Sequence, residues 1–132
     1  MRVVFDTDVL YSATAAKGFC DEVLDEAVDH CIIIWSSPLQ QELESLLVRR
    51  HKIGPATRAT LAAYADLCEF VEPEPLPARV CRDKDDDVVL ATAVAGEANA
   101  IVTGDADLLV LKKFRSIRIL SPRQFLELLD RR

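Results

Sequence analysis

Residues 82–109 read R-D-K-D-D-D-V-V-L-A-T-A-V-A-G-E-A-N-A-I-V-T-G-D-A-D-L-L, and the fold is decided there. Asp83, Asp85, Asp86 and Asp87 crowd the start, an alanine-rich helical segment follows, and Ala100-Ile101-Val102 forms a strand-like run. A second acidic turn, Gly104-Asp105-Ala106-Asp107, closes the stretch. Two carboxylate clusters thus bracket one helix and one strand. Gathered carboxylates repel, so a fold that collects them needs a cation, a proton or open water to offset the repulsion.

Working outward, Val3–Phe5 is a short apolar run ending at Asp6-Thr7-Asp8, the pattern of a buried parallel strand that delivers acids to its carboxyl end. Helical spacing predicts helices over Val9–Ala16 and Phe19–Asp29, the second with Phe19, Val23, Leu24, Ala27 and Val28 on one face toward the sheet. Cys31–Trp35 is the strongest strand, apolar on both faces and hence central. Ser36-Ser37-Pro38 then caps a helix carrying Leu39, Leu43, Leu46 and Leu47, with Glu42 beside the apolar stripe, where a charge needs a partner.

The basic run Arg49-Arg50-His51-Lys52 precedes a helix from about Ala56 to Leu67, a short strand at Glu69–Val71 and a proline-rich surface connection from Glu72 to Pro77. Asp85 or Asp86 begins the central helix, which runs to Ala98. The remaining expectations are a helix over Asp107–Lys112, an alternating edge strand over Ser116–Leu120, and a helix over Gln124–Leu129 capped by Ser121-Pro122. Strands alternate with helices almost throughout, which gives an α/β fold with a mainly parallel sheet and a single domain over residues 1–132.

The chain has 132 residues, half of them apolar, and a formal net charge of −6. That balance argues against nucleic-acid binding through the overall field and leaves room for a local basic patch aided by metal or a partner. Cys20, Cys31, Cys68 and Cys81 are too scattered for a zinc motif and read as reduced, mostly core thiols. The opening apolar run is too short for a signal peptide and no later run approaches a membrane span, so a soluble cytoplasmic protein is expected.

In an open parallel sheet, ligands bind outside the carboxyl ends of the strands. Asp6, Glu42, Asp86 and Asp105 can all reach that rim. Four carboxylates with no His or Cys suit Mg²⁺ or Mn²⁺ rather than zinc.

Four segments, V-V-F-D-T-D-V-L, S-S-P-L-Q-Q-E-L-E-S-L-L, R-D-K-D-D-D-V-V-L-A-T-A and I-V-T-G-D-A-D-L-L, occur in an order and spacing that resembles the PIN-domain ribonucleases, among them the VapC-like toxins of toxin–antitoxin pairs. The resemblance spans almost the whole chain and implies a three-layer α/β/α fold and metal-dependent hydrolysis of RNA. It implies a metal site of Asp6, Glu42, Asp86 and Asp105 joined by Asp107, with Thr7, Asp8 and Thr103 in support. It also implies a homodimer and a cognate antitoxin protein.

Two positions depart from the family pattern. Asp8 stands where Asn is usual, adding negative charge near the metal, and Lys84 stands where Pro is usual, leaving Asp83, Asp85, Asp86 and Asp87 in competition as ligands. Asp86 is favoured because it sits seven residues before Ala93, as the acid of the resembled family does before its helix alanine, and one turn before Leu90. Arg49, Arg50, Lys52, Lys112, Lys113 and Arg115 are the candidate contacts to RNA phosphates.

Two other functions compete. Asp6-x-Asp8 with Ser36 or Ser37 and Gly104-Asp105 also fits a haloacid-dehalogenase-like phosphatase, and a metal-stabilised module could bind protein or RNA without cleaving it. Each acidic cluster taken singly also fits an ordinary helix start or turn.

Overall fold

The computed structural model describes residues 1–15, 18–50 and 52–131. The expected helix end at Ala16 and His51 of the basic run lie outside the described residues. The elements in chain order are β1 (Arg2–Phe5), α1 (Thr7–Ala15), α2 (Phe19–His30), β2 (Ile32–Trp35), α3 (Ser37–Arg49), α4 (Pro55–Leu67) and β3 (Glu69–Phe70). They continue with α5 (Lys84–Ala95), β4 (Ala100–Val102), α6 (Ala106–Leu109), β5 (Lys113–Phe114), β6 (Ile117–Leu120) and α7 (Pro122–Asp130).

The strands form one sheet in the order β3-β2-β1-β4-β6-β5. All pairings are parallel except β5 with β6. Register aligns Val4 with Ile34 on one side and Ile101 on the other, so the carboxyl ends of β1, β2 and β4 finish at one rim. From β1 the chain first builds outward through β2 and β3, then returns to add β4 and β6 on the opposite side. The order therefore reverses between β1 and β4, the crevice where such sheets bind ligands.

The core explains why these residues form these elements. Val3, Val4, Phe5, Ile34, Trp35, Ile101 and Val102 are fully buried, which requires helices on both faces of the sheet. Helix α5 packs against β1, β2 and β4, while α2 and α7 pack on β2 and β6 and on each other. Phe5 meets Phe125 of α7 edge to face at 5.7 Å, and Trp35 meets Tyr64 of α4 likewise at 4.9 Å. The architecture is thus the α/β/α sandwich with a mainly parallel sheet.

Several local expectations need correction. The strand over Ile117–Leu120 is not an edge: β6 lies between β4 and the two-residue β5, joined to β5 by a tight turn with Arg115 at φ 54°. Helix α6 is shorter and earlier than expected, ending at Leu109, and α5 starts at Lys84 and stops at Ala95. Helix α1 starts at Thr7, directly behind Asp6. Phe19 is 40% exposed, with the Arg123 guanidinium 5.4 Å from its ring centroid; of the four cysteines Cys81 is buried, and Cys20, Cys31 and Cys68 pack partly buried against the core.

Ser36 does not cap α3 through its side chain. Its hydroxyl lies 2.9 Å from the Thr92 hydroxyl, which donates to the Val88 carbonyl, so Ser36 donates to Thr92 and ties the start of α3 to α5. The Ser121–Gln124 pair forms the expected cap, a reciprocal capping box at α7.

Gly96 ends α5 against β2, where a Cβ would stand 2.5 Å from Ile34 Cγ2. Gly96→Ala should therefore lower unfolding stability by about 1–3 kcal/mol through overpacking. Urea denaturation measures this, and unchanged stability would show that Ile34 yields freely.

Candidate metal centre

The rim is built by chain direction. Helices α1 and α6 begin directly after β1 and β4, and the first turn of α5 lines the same pocket, so three amino ends, which favour negative charge, meet at the β1/β4 crevice, with the middle and last turn of α3 forming the facing wall. A pocket of about 220 Å³ there is lined by Asp6, Thr7, Asp8, Glu42, Arg49, Asp83, Asp85, Asp86 and Asp105 with Leu46. All four acids of the expected core set therefore meet at one pocket.

Asp6 is buried and held at both oxygens: Oδ1 accepts from the Thr7 amide at 2.7 Å, and Oδ2 from the Thr103 hydroxyl at 2.7 Å. The same Thr103 oxygen accepts the Asp105 amide at 3.0 Å, so one buried hydroxyl couples the acids that follow β1 and β4. Asp8 Oδ2 accepts from the Gly104 amide at 3.0 Å, and a Cβ on Gly104 would lie 2.8 Å from that oxygen. A side chain at this turn would therefore have to displace the Asp8 carboxylate, and the backbone there is not left-handed.

The Asp83–Asp87 run divides its work. Asp83 is the cap of α5, accepting from the Asp85 amide at 2.9 Å. Asp87 points away and accepts from the Val80 and Cys81 amides at 3.0 and 2.8 Å, fastening the preceding loop. Asp86 is buried, and its Oδ2 has no hydrogen-bond partner. Asp85 is exposed and lines the pocket.

Asp86, Asp105 and Asp107 each offer an oxygen within 4.8 Å of the others. Asp6 and Glu42 line the same pocket outside that trio. Asp107 itself bonds Arg82 at 2.8 Å, a contact that the sequence did not suggest. An unpartnered buried oxygen amid an all-carboxylate donor set fits a hard divalent cation.

The electrostatics agree with the geometry. Burial, then Asp8, raise the Asp6 pKa to about 7, against the lowering by Thr103 and Thr7. Asp86 is raised to about 6 by burial, then by Asp105, Asp83 and Asp107. Glu42 is raised by burial and then by Asp85, Asp83 and Asp86. Asp8, the more exposed member, turns its carboxylate inward and is raised chiefly by loss of solvent.

The basic candidates are not gathered in the same way. Arg49 lines the pocket, while the Arg50 guanidinium sits 5.9 Å from the Tyr11 ring centroid and Lys52 is exposed nearby in sequence. Lys113 lies on the edge strand β5, paired with Arg118 near the amino end of β6, with Lys112 and Arg115 flanking it. Those three do not line the acidic pocket. Of the two serines a phosphatase mechanism could use, Ser36 is fully buried and engaged with Thr92, and Ser37 is exposed at the start of α3 and does not line the acidic pocket.

Two outcomes follow for the metal-free protein. Because folding raises the Asp6 and Asp86 pKa values above their unfolded values near 3.8, the native state holds more protons between roughly pH 4 and pH 7. Their contribution to stability is complete below that window and lost as pH rises through it. Melting temperature should fall between pH 5 and pH 8, and Mg²⁺ or Mn²⁺ should restore it at pH 8 far more than at pH 5; equal metal shifts at both would contradict this. In urea denaturation without metal, Asp87→Asn should cost about 1–3 kcal/mol by disturbing the amide contacts, whereas Asp86→Asn should be neutral or stabilising because it removes a repelled charge.

The sequence matches the PIN domain family over residues 2–107. No curated protein matches it. Among solved structures, a chain of VapBC2 from Rickettsia felis, determined bound to a DNA fragment from its promoter, matches 90% of this chain and 97% of that one. The TM-score is 0.62 at 14% sequence identity, a likeness of fold. With the family match covering most of its length, the chain belongs to the PIN domain family.

Proposed function

We propose that the protein is a Mg²⁺- or Mn²⁺-dependent endoribonuclease, a single PIN-like domain over residues 1–132 that acts as the toxin of a toxin–antitoxin pair. The observation that carries this is the meeting of Asp6, Glu42, Asp86 and Asp105 at one pocket of a PIN-domain chain, with an unpartnered carboxylate oxygen inside it. Asp86, Asp105 and Asp107 would hold the ion, with Asp6 and Glu42 completing its surroundings. When bound, a divalent ion supplies Lewis acidity to a phosphodiester and offsets the negative charge of the pocket.

The chain's own groups supply the rest. Thr103 and the Thr7 amide fix the Asp6 carboxylate so that it need not reorganise when phosphate arrives. Glu42, half-buried and raised above its ordinary value by burial and the neighbouring aspartates, is our candidate to accept a proton from the attacking water. Arg49 contributes positive charge at the pocket wall for the flanking backbone, and Arg50 and Lys52, close to it in sequence, are the next candidates to hold phosphates. Lys112, Lys113 and Arg115, on the far sheet edge, would meet only RNA that wraps around the molecule.

Antitoxin binding and a homodimer are part of the proposal, supported by exposed Val48 and Leu67 and by the groove of Leu24, Val28, Leu61 and Leu67 between α2 and α4. No helix among the described residues is long and apolar enough to cross a membrane, and the proposed setting is the cytoplasm.

Purified protein should cleave RNA when Mg²⁺ or Mn²⁺ is present and stop when the metal is chelated. Asp6→Asn and Asp86→Asn should each lower the cleavage rate by about 100-fold or more. Cleavage that survives both substitutions would remove the assignment.

A further inference from the structure

Asp107, one of the three carboxylates that offer oxygens within 4.8 Å of one another, is already engaged. Its Oδ1 accepts a hydrogen bond from the Arg82 guanidinium at 2.8 Å. Among the described residues this is the only ion pair that involves an acid of the rim. Neither partner lines the acidic pocket, so the pair sits at its margin, with Asp107 reaching toward Asp86 and Asp105. The bare site thus holds one positive group of its own, on a donor that a metal ion would use.

The chain fixes where that group starts from. Arg82 directly precedes Asp83, the cap of α5. Asp87 accepts from the Val80 and Cys81 amides, and the Arg79 guanidinium donates to the carbonyls of Cys81 and Arg82. Adjacent residues of α5 therefore take linked roles: Asp86 contributes its carboxylate to the trio, and Asp87 anchors the loop that carries the trio's counter-charge. Beyond its backbone Arg82 is unconfined, with a side chain 87% exposed against 39% for Asp107. An ion pair so open to water is weak and exchanges readily. The buried Asp86 Oδ2, without a partner, is left for a stronger cation.

We propose that Arg82 is the resident counter-charge of the metal centre: it occupies Asp107 in the bare protein, yields that carboxylate to the divalent ion, and by competing for it sets the affinity for metal. The inference rests on the metal-dependent reading above and adds the residue that tunes it. A divalent ion carries twice the charge of a guanidinium and sits closer to its oxygens, at about 2 Å for Mg²⁺, so the ion prevails at Asp107. A guanidinium kept beside the bound ion would repel it, which is why the two exchange rather than share the carboxylate. While metal is scarce, Arg82 offsets one of the three crowded charges.

The test measures Mn²⁺ binding to the full chain, purified free of metal, at pH 8 and without RNA, by calorimetry and by the electron paramagnetic resonance signal of free Mn²⁺. Arg82→Gln, which removes the charge, should tighten Mn²⁺ roughly two- to fivefold, the size expected of an exposed ion pair. Arg82→Lys, which keeps the charge, should stay closer to the unsubstituted chain than to Arg82→Gln. Asp107→Asn should weaken binding, and adding Arg82→Gln to it should change nothing further, because Arg82 then has no carboxylate to contest. Circular dichroism checks the folding of each variant.

Unchanged or weaker Mn²⁺ binding in folded Arg82→Gln would overturn the proposal. So would a tightening of the same size when Asp107 is already asparagine, which would reduce the effect to loss of a distant charge. Failure of the unsubstituted chain to bind Mn²⁺ would overturn this proposal together with the metal-dependent reading, whereas binding that ignores Arg82 would remove the role of Arg82 alone.

Discussion

Mutual repulsion among carboxylates that cannot leave one another is the constraint on which this structure turns. Asp6 is fixed by the end of β1, Asp105 by the end of β4 and Asp86 by the first turn of α5, and the parallel register brings these points to one rim. Three helix amino termini and the Thr103 hydroxyl reduce the repulsion. They do not remove it, since Asp6 and Asp86 are still displaced far above ordinary carboxylate behaviour. A fold that keeps such an arrangement gives up stability at neutral pH in its bare form, and a divalent cation is the natural means of recovering it.

The crowded acidic run shows how neighbouring identical residues take unlike roles. Asp83 caps, Asp87 anchors a loop and Asp86 alone is left with a buried, unpartnered oxygen. The family resemblance, through the offset from Ala93, and the position one turn before Leu90 favoured Asp86, but neither had a means of seeing that Asp87 would reach back to the amides of residues 80 and 81. That choice depends on the path of the proline-rich connection, which periodicity does not describe. The Arg82–Asp107 contact was hidden for the same reason, because its partners are joined only by the turn at the rim.

Much of the fold was legible because burial leaves strong marks. Ala100–Val102 and Val3–Phe5 are apolar runs ended by acids, and both are strands that deliver those acids to the crevice. What escaped was weakly patterned. β5 has two residues and enters β6 through Arg115-Ser116, a turn without the glycine or asparagine that usually marks a hairpin, so β6 was mistaken for the edge. Ser36 looked like a side-chain cap and instead bonds Thr92, a tertiary contact that displaced a local one. The basic residues were the least legible, since lysine and arginine on a surface carry no periodic signal, and among the described ones only Arg49 lines the pocket.

The most direct measurement of the central claim is an anomalous difference map from crystals of the full chain grown with Mn²⁺. The account predicts a peak within coordination distance of the Asp86 and Asp105 carboxylates, facing Asp6 and Glu42. A map with no peak at this rim in crystals soaked to saturation, or with Mn²⁺ held only at unrelated surface acids, would contradict it.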